Sequence, residues 1–416
     1  MKALVVGNGG REHALVWKFA RSNRISDLYA LPGNGGTANI ASNIDIASDD
    51  LEGITGAAVD RSVDLVVVGP EAPLSLGLVD ALEAAGVPAI GPRAHAARLE
   101  SSKAFSKQFM ADCGIPTAEH RSFTDGDACE RYITGSTTQL VVKKSGLAAG
   151  KGVLESTDRA ALASFAREVI AAGDEAVVEE HLRGFEVSVF ALSDGATYTV
   201  LPACTDYKKA GVGSTGPNTG GMGAICPVPW LDRDVEQQIH SRIVEPTFSG
   251  LTERGLAYRG VVYFGVMVTD AGPYLLEYNV RFGDPEAQVL LPLIQTDFTE
   301  ICTAIVNGNL NALDIRFSGL SSLGVVLASP GYPSAYPKEL PVDPLPTPPE
   351  DEALVFHAAT AWRDGDIVTG GGRCFTVVGF GQELLQARAR AYQTAKDVTF
   401  PGSWMRQDIG GRIFGN

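Results

Sequence analysis

The chain has 416 residues, 45% hydrophobic and 20% charged, which suits a globular protein of two to four domains. A formal charge of −15 argues against a broad nucleic-acid surface, which needs excess positive charge, but not against a small anion pocket. No apolar run approaches the roughly 20 residues that cross a bilayer, and six scattered cysteines without a C-x-x-C pair fit a reduced, cytoplasmic protein without structural zinc.

The N-terminal hundred residues alternate strand and helix. Lys2–Gly7 reads as a buried strand, Gly7-Asn-Gly-Gly-Arg-Glu-His13 as a glycine turn, and a helix follows to Ser22. Further strands fall at Leu28–Leu31, Asp64–Gly69 and Val87–Gly91, with helical stretches such as Leu78–Ala85 between them. This alternation implies a doubly wound parallel sheet. A nicotinamide site does not fit. The sixth fingerprint position is Glu12 instead of glycine, and the second strand ends in Leu31-Pro-Gly-Asn-Gly-Gly36 with no acid for a ribose. A helix N-terminus behind a glycine turn still binds phosphate, so a phosphorylated small substrate fits better. Gly69-Pro-Glu-Ala-Pro73 lies at the same carboxyl edge.

The pattern changes near Ser101, where a helix runs to Cys113, and Leu140–Lys144 is a strand. Ser145–Val153 is a glycine-rich loop around Lys151. It is no P-loop, because no Ser or Thr follows the lysine, but flexible glycines can cover a triphosphate. Lys107 and Lys151 are read as solvated. Glu175–His181 is a strand ending in two acids, and Gly184–Leu192 opens another. Asp206–Gly223 is a long glycine-rich loop of the kind that is usually functional. Helices are expected from Asp232 to Gly255 and from Pro285 to Asn307.

Gly260–Thr269 and the run from Tyr274 form a hairpin about the turn Asp270–Pro273. Glu277, Asn279 and Arg281 then share one strand face, with Leu276, Tyr278 and Val280 on the other. Oxygen ligands on one face suit a hard cation, and the guanidinium suits a carboxylate or phosphate. The tail from about Gly319 has short strands at Leu323–Ala328, Leu354–His357 and Arg373–Gly379, a proline-rich acidic loop at Leu345–Glu352 and a helix at Glu383–Lys396.

A strand lysine, a glycine lid, a strand ending Glu-Glu and an E-x-N strand together resemble the ATP-grasp ligases. The segments Gly7–Ala14, Val68–Leu74, Gly146–Val153, Gly216–Ala224, Asn279–Glu286, Phe356–Thr360 and Arg406–Gly410 resemble, in order, the motifs of the phosphoribosylamine–glycine ligase family. The resemblance implies three parts. Residues 1–101 would form an N-terminal α/β domain for phosphoribosylamine. Residues 102–318 would form the ATP-grasp domain, with a mobile lid at about 120–187, and residues 319–416 a small C-terminal α+β domain. It also implies site roles. Lys103 and Lys143 would meet the ATP phosphates under a lid that includes Gly146, Gly150 and Gly152. Glu179, Glu180 and Leu182 would form the adenine site, and Glu186 would hold the ribose. Glu277 and Asn279 would bind Mg²⁺ (or Mn²⁺). Gly9, Gly10, Arg11, Glu12 and Glu71 would face 5-phosphoribosylamine. Asp206 and Arg281 would hold glycine, beside the loop residues Asn218, Thr219, Gly220, Gly221 and Met222. The implied reaction joins glycine to phosphoribosylamine through glycyl phosphate, in a monomer or small homo-oligomer without nucleic-acid or membrane partners. The alternatives are another ATP-grasp carboxylate–amine ligase and a non-catalytic ATP-binding protein. Two positions depart from the family: Lys144-Ser145 replaces a usual Ala-Asp, and Ala359 a usual Gly.

Overall fold

Residues 1–148 and 152–411 are described by the structure, a computed structural model. The N-terminal sheet is parallel throughout, in the spatial order Ser42–Asn43, Asp27–Pro32, Lys2–Gly7, Leu65–Val68, Ala89–Ile90. Its strands are apolar on both faces because both are covered. Leu4, Val6, Val66 and Val68 join one core, and Ala3, Val5, Leu65 and Val67 the other. The order reverses between Lys2–Gly7 and Leu65–Val68. The turns at Gly7 and Gly69 therefore lie side by side at the switch point, where ligands of such sheets sit.

His120–Phe123, Ala176–Glu180, Leu140–Lys144 and Val153–Glu155 form a separate four-stranded antiparallel sheet. Two helices, Gly126–Gly135 and Arg159–Ala171, cover it through a small core of its own. A second four-stranded sheet pairs Tyr198–Val200, Phe185–Asp194, Arg259–Thr269 and Gly272–Asn279. The expected hairpin is present, with Gly265 opposite Glu277 and Val266 opposite Leu275. That register skips Leu276, which marks a bulge. The bulge corrects the alternation read from the sequence. Leu275, not Leu276, joins Tyr278 and Val280 in the core, and Leu276 turns to the cleft.

The last sheet also departs from expectation. Ser321–Ala328, Arg373–Gly381 and Ala353–His357 are joined by Gly223–Cys226 and Thr205–Asp206 from the middle of the chain. A boundary near residue 319 therefore cuts through a sheet. The long glycine loop is not all loop, since Lys209–Gly211 pairs with Thr215–Asn218. Of the two long helices expected after it, only the second is broken. The first runs without interruption through Arg233–Ile239, a π turn at His240–Val244, and Glu245–Glu253. The second divides into Glu286–Leu290 and Phe298–Asn307. Among the described residues, no helix is long and apolar enough to cross a membrane.

Candidate active site

The strand Gly272–Asn279, the sheet that holds Leu140–Lys144 and Ala176–Glu180, the helix Lys103–Asp112 and the glycine loop enclose a cleft of about 1130 Å³. Its walls carry Lys103, Lys143, Gly152, Glu179, Glu180, Leu182, Glu186, Asp206, Asn218, Thr219, Gly220, Glu277, Asn279, Arg281 and Glu71. The other expected site residues lie elsewhere. Gly146 donates to Asp174 Oδ1 at 3.2 Å. Gly150 lies outside the described residues, as does Lys151. Met222 is fully buried in the C-terminal core with Ile225 and Leu323, so its side chain cannot face a substrate there. Gly221 at φ 107° packs against Pro285, where a side chain would collide with the ring.

Gly9, Gly10, Arg11 and Glu12 are not on the walls of this cleft. The expected phosphate site at the helix N-terminus is partly occupied by the chain itself. Glu12 Oε2 accepts from the Gly9 N–H at 2.7 Å, and its Oε1 takes Arg11 Nε at 2.6 Å. Arg11 instead reaches inward to the Phe282 carbonyl at 3.0 Å and lines a small inner cavity with Gly69 and Arg281.

At the end of the cleft beside Glu179, Lys103 and Lys107 lie four residues apart, on one face of their helix. Ser102 caps that helix by accepting from Phe105 N–H at 3.3 Å. Lys107 is not solvated, contrary to the sequence reading. It is 2% exposed and lies 3.1 Å from Glu179 Oε2, which also takes Lys143 at 2.9 Å. Burial pulls the Lys107 ammonium down to about 8, against the opposing pull of Glu179. Glu179 itself lies below its ordinary value: burial pushes it up, but Lys143 and Lys107 prevail. Its Oε1 is buried and has no hydrogen-bond partner among the described residues. Replacing Lys107 by Met is expected to cost about 3 kcal/mol, the low end for a broken buried pair because Lys143 remains. The shift in urea midpoint measures it.

The lysine–serine departure is also explained by position. Lys144 lies 3.4 Å from Asp174, away from the cleft. Ser145 is buried, and its Oγ accepts from Ala104 N–H at 3.2 Å, bracing the start of the Lys103 helix.

Glu277 and Asn279 stand two apart on the cleft side of their strand, as the alternation required. Burial raises the Glu277 carboxyl, but Lys208, Lys143 and Lys103 outweigh burial and hold it below its ordinary value. It is therefore ionised and offers hard oxygens beside a neutral amide, a donor set that fits Mg²⁺. Among the described residues, no group of three or more His, Cys, Asp or Glu side chains could hold a metal alone. Phosphate oxygens would have to complete the shell.

Farther in, Asp206 and Glu286 face a common interior. Glu286 accepts from Ser188 Oγ at 3.2 Å, and Ser188 lies 3.0 Å from the Tyr263 hydroxyl. Burial pushes the Asp206 carboxyl well up, with Glu286, Glu186 and Glu277 adding to it and Lys208 opposing. Asp206 Oδ1 has no hydrogen-bond partner among the described residues. Lys208 donates to Glu186. Arg281 Nη2 lies 2.6 Å from Glu100, and its Nε lies 3.4 Å from Glu71. Arg373, from the last sheet, donates to the Asp284 carbonyl at 2.9 Å and the Gly220 carbonyl at 2.5 Å, so it ties the glycine loop to the turn after Arg281.

The sequence reading missed Lys107, Lys208, Glu100, Glu286 and Arg373 as parts of this site. Helical spacing from Lys103 was a usable signal for Lys107, whereas Glu100 belongs to the preceding helix, Ala94–Ser101. Lys208 and Glu286 stood inside motifs already singled out. No local pattern marks Arg373.

The phosphoribosylglycinamide synthetase N domain matches residues 1–100, its ATP-grasp (A) domain residues 101–287 and its C domain residues 322–412. The chain belongs to the phosphoribosylglycinamide synthetase family. It is 43% identical over 417 residues to the phosphoribosylamine–glycine ligase of Rhizobium meliloti (strain 1021), covering 99% of this chain and 98% of the relative. The Nostoc sp. enzyme of the same name is 44% identical, covering 99% of this chain and all of the relative. The crystal structure of the Thermotoga maritima phosphoribosylamine–glycine ligase superposes with a TM-score of 0.85 at 32% identity, over 98% of this chain and all of that one. A Campylobacter jejuni biotin carboxylase in complex with β,γ-ATP has a TM-score of 0.78 at 15% identity, covering 97% of this chain and 92% of that one, a likeness of fold alone. Membership makes the chain a ligase with an ATP-grasp domain.

Proposed function

We propose that this cleft joins glycine to 5-phosphoribosylamine at the expense of ATP. The observation that carries the reading is the meeting of Lys103, Lys143, Lys208 and Arg281 with Glu277 and Asn279 on one cleft, which Glu71 of the N-terminal part also lines. Lys103 and Lys143 neutralise the ATP phosphates. Glu179 Oε1 accepts from the adenine amino group. Glu277 and Asn279 hold Mg²⁺, which when bound offsets phosphate charge. Asp206 faces the ammonium of glycine and Arg281 its carboxylate.

The reaction then runs in two steps. A glycine carboxylate oxygen attacks the γ-phosphorus, the bond to the β,γ-bridging oxygen breaks, and ADP leaves. The amine of phosphoribosylamine attacks the acyl carbon of the resulting glycyl phosphate. The C–O bond breaks, phosphate leaves, and the amine gives up one proton. The residues contribute position and charge neutralisation, with no covalent nucleophile. Six free cysteines fit a reduced, cytoplasmic setting.

Phosphate release from MgATP tests the reading. It should require both glycine and phosphoribosylamine generated in the cuvette, with one glycinamide ribonucleotide formed per phosphate. Release that ignores phosphoribosylamine, or that follows another amino acid as readily, would refute it.

A further inference from the structure

Arg281 lies two residues beyond the end of the strand Gly272–Asn279 and lines the cleft, so sheet pairing does not set its orientation. Glu100, at the end of the N-terminal domain's last helix (Ala94–Ser101), sets it. One carboxylate oxygen lies 2.6 Å from Arg281 Nη2, and the other accepts from the Val280 N–H at 2.8 Å. A single buried side chain therefore holds both the backbone just before the arginine and the guanidinium itself. Three residues farther along, the same stretch carries Lys103 into the cleft. The second carboxylate near Arg281, Glu71, is less buried and stands off at 3.4 Å. The Nε of Arg281 has no hydrogen-bond partner among the described residues.

We infer that Glu100 is a positioning residue for the ligation: it aims the Arg281 guanidinium into the cleft and fixes it relative to Lys103. A buried ion pair is a costly route to stability alone, because both charges must be desolvated. A carboxylate with one oxygen on the backbone of the segment after a strand and the other on its guanidinium is well suited to holding geometry. Two of the five guanidinium N–H groups are spent, on Glu100 and the Phe282 carbonyl, which leaves others for an incoming carboxylate or phosphate.

The inference rests on the proposed role of Arg281 toward the glycine carboxylate, and its test separates the two. Glu100→Gln can accept with only one atom, so it loses either Arg281 or Val280. It should raise the KM for glycine at least about tenfold while the KM for ATP moves less than about threefold, the signature of a misplaced binding group. Glu100→Asp keeps the charge but not the reach. It should behave likewise, and it carries the test if Glu100→Gln does not fold. Arg281→Lys supplies the cycle. Glu100→Gln added to it should change the glycine KM by less than about threefold, because the partner's fork is already gone. If Arg281→Lys raises the glycine KM but neither Glu100 variant does, or if the effects multiply, the inference is overturned and the role of Arg281 stands. If Arg281→Lys leaves the glycine KM unchanged, that role falls and the inference with it.

Discussion

Glu277→Gln should lower kcat by about a thousandfold or more while leaving the binding of metal-free ATP intact or tighter. The two parts follow from one carboxylate. Glu277 is the anion set among Lys103, Lys143 and Lys208. In the proposed site it would supply, with Asn279, the protein's hard oxygens for Mg²⁺, and the amide of a glutamine is neutral and a weaker donor. Without that charge, the cation that offsets the transferring phosphoryl group is poorly held. The same substitution removes a negative charge facing the triphosphate, so the three lysines attract the bare nucleotide more strongly. Steady-state kinetics at saturating Mg²⁺ and calorimetric titration of ATP in EDTA measure the two parts. A kcat within tenfold of the parent would remove Glu277 from the metal site. Weaker metal-free binding would indicate a collapsed cleft instead.

The strand that carries Glu277 also shows what could and could not be read in advance. Alternation placed Glu277, Asn279 and Arg281 on one face because side-chain period is a local property of any strand. The bulge opposite Gly265 is not local. It arises where Val266 takes Leu275 as its partner, so Leu276 was assigned to the wrong side. The parallel N-terminal sheet was legible for a similar reason: strands covered on both faces must be apolar throughout. The last sheet was not, because its two added strands are short and come from a glycine-rich segment whose pairing depends on residues a hundred positions away. Lys107 was misread because a lysine is normally solvated, and only the folded chain shows that Glu179 waits for it. Arg373 was invisible, since its partners, the Gly220 carbonyl and the carbonyl and carboxylate of Asp284, lie on segments far away in the sequence.

Asp206→Asn should cut kcat/KM for glycine roughly 100-fold and, in the same protein, raise the melting temperature by about 2 °C or more at neutral pH. A folded-state value raised above the unfolded one means that the folded protein holds the Asp206 proton more tightly. Ionised Asp206 therefore costs stability. That cost is absent below the ordinary carboxylate range and grows as pH rises toward the elevated value. The amide removes the charge and with it the cost. An ammonium needs the ionised form, however, so wild-type kcat/KM for glycine should fall as pH drops through a value above the ordinary carboxylate range. Burial raises both carboxyls and the Glu286 charge pushes Asp206 up further, so this limb reflects Asp206 in the presence of Glu286. Thermal scans at several pH values and glycine kinetics read both arms. A lower melting temperature with an unchanged glycine KM would make Asp206 a structural acid. The expected opposite signs would mean that the fold carries an unfavourable buried charge at the point where its smallest substrate must be held.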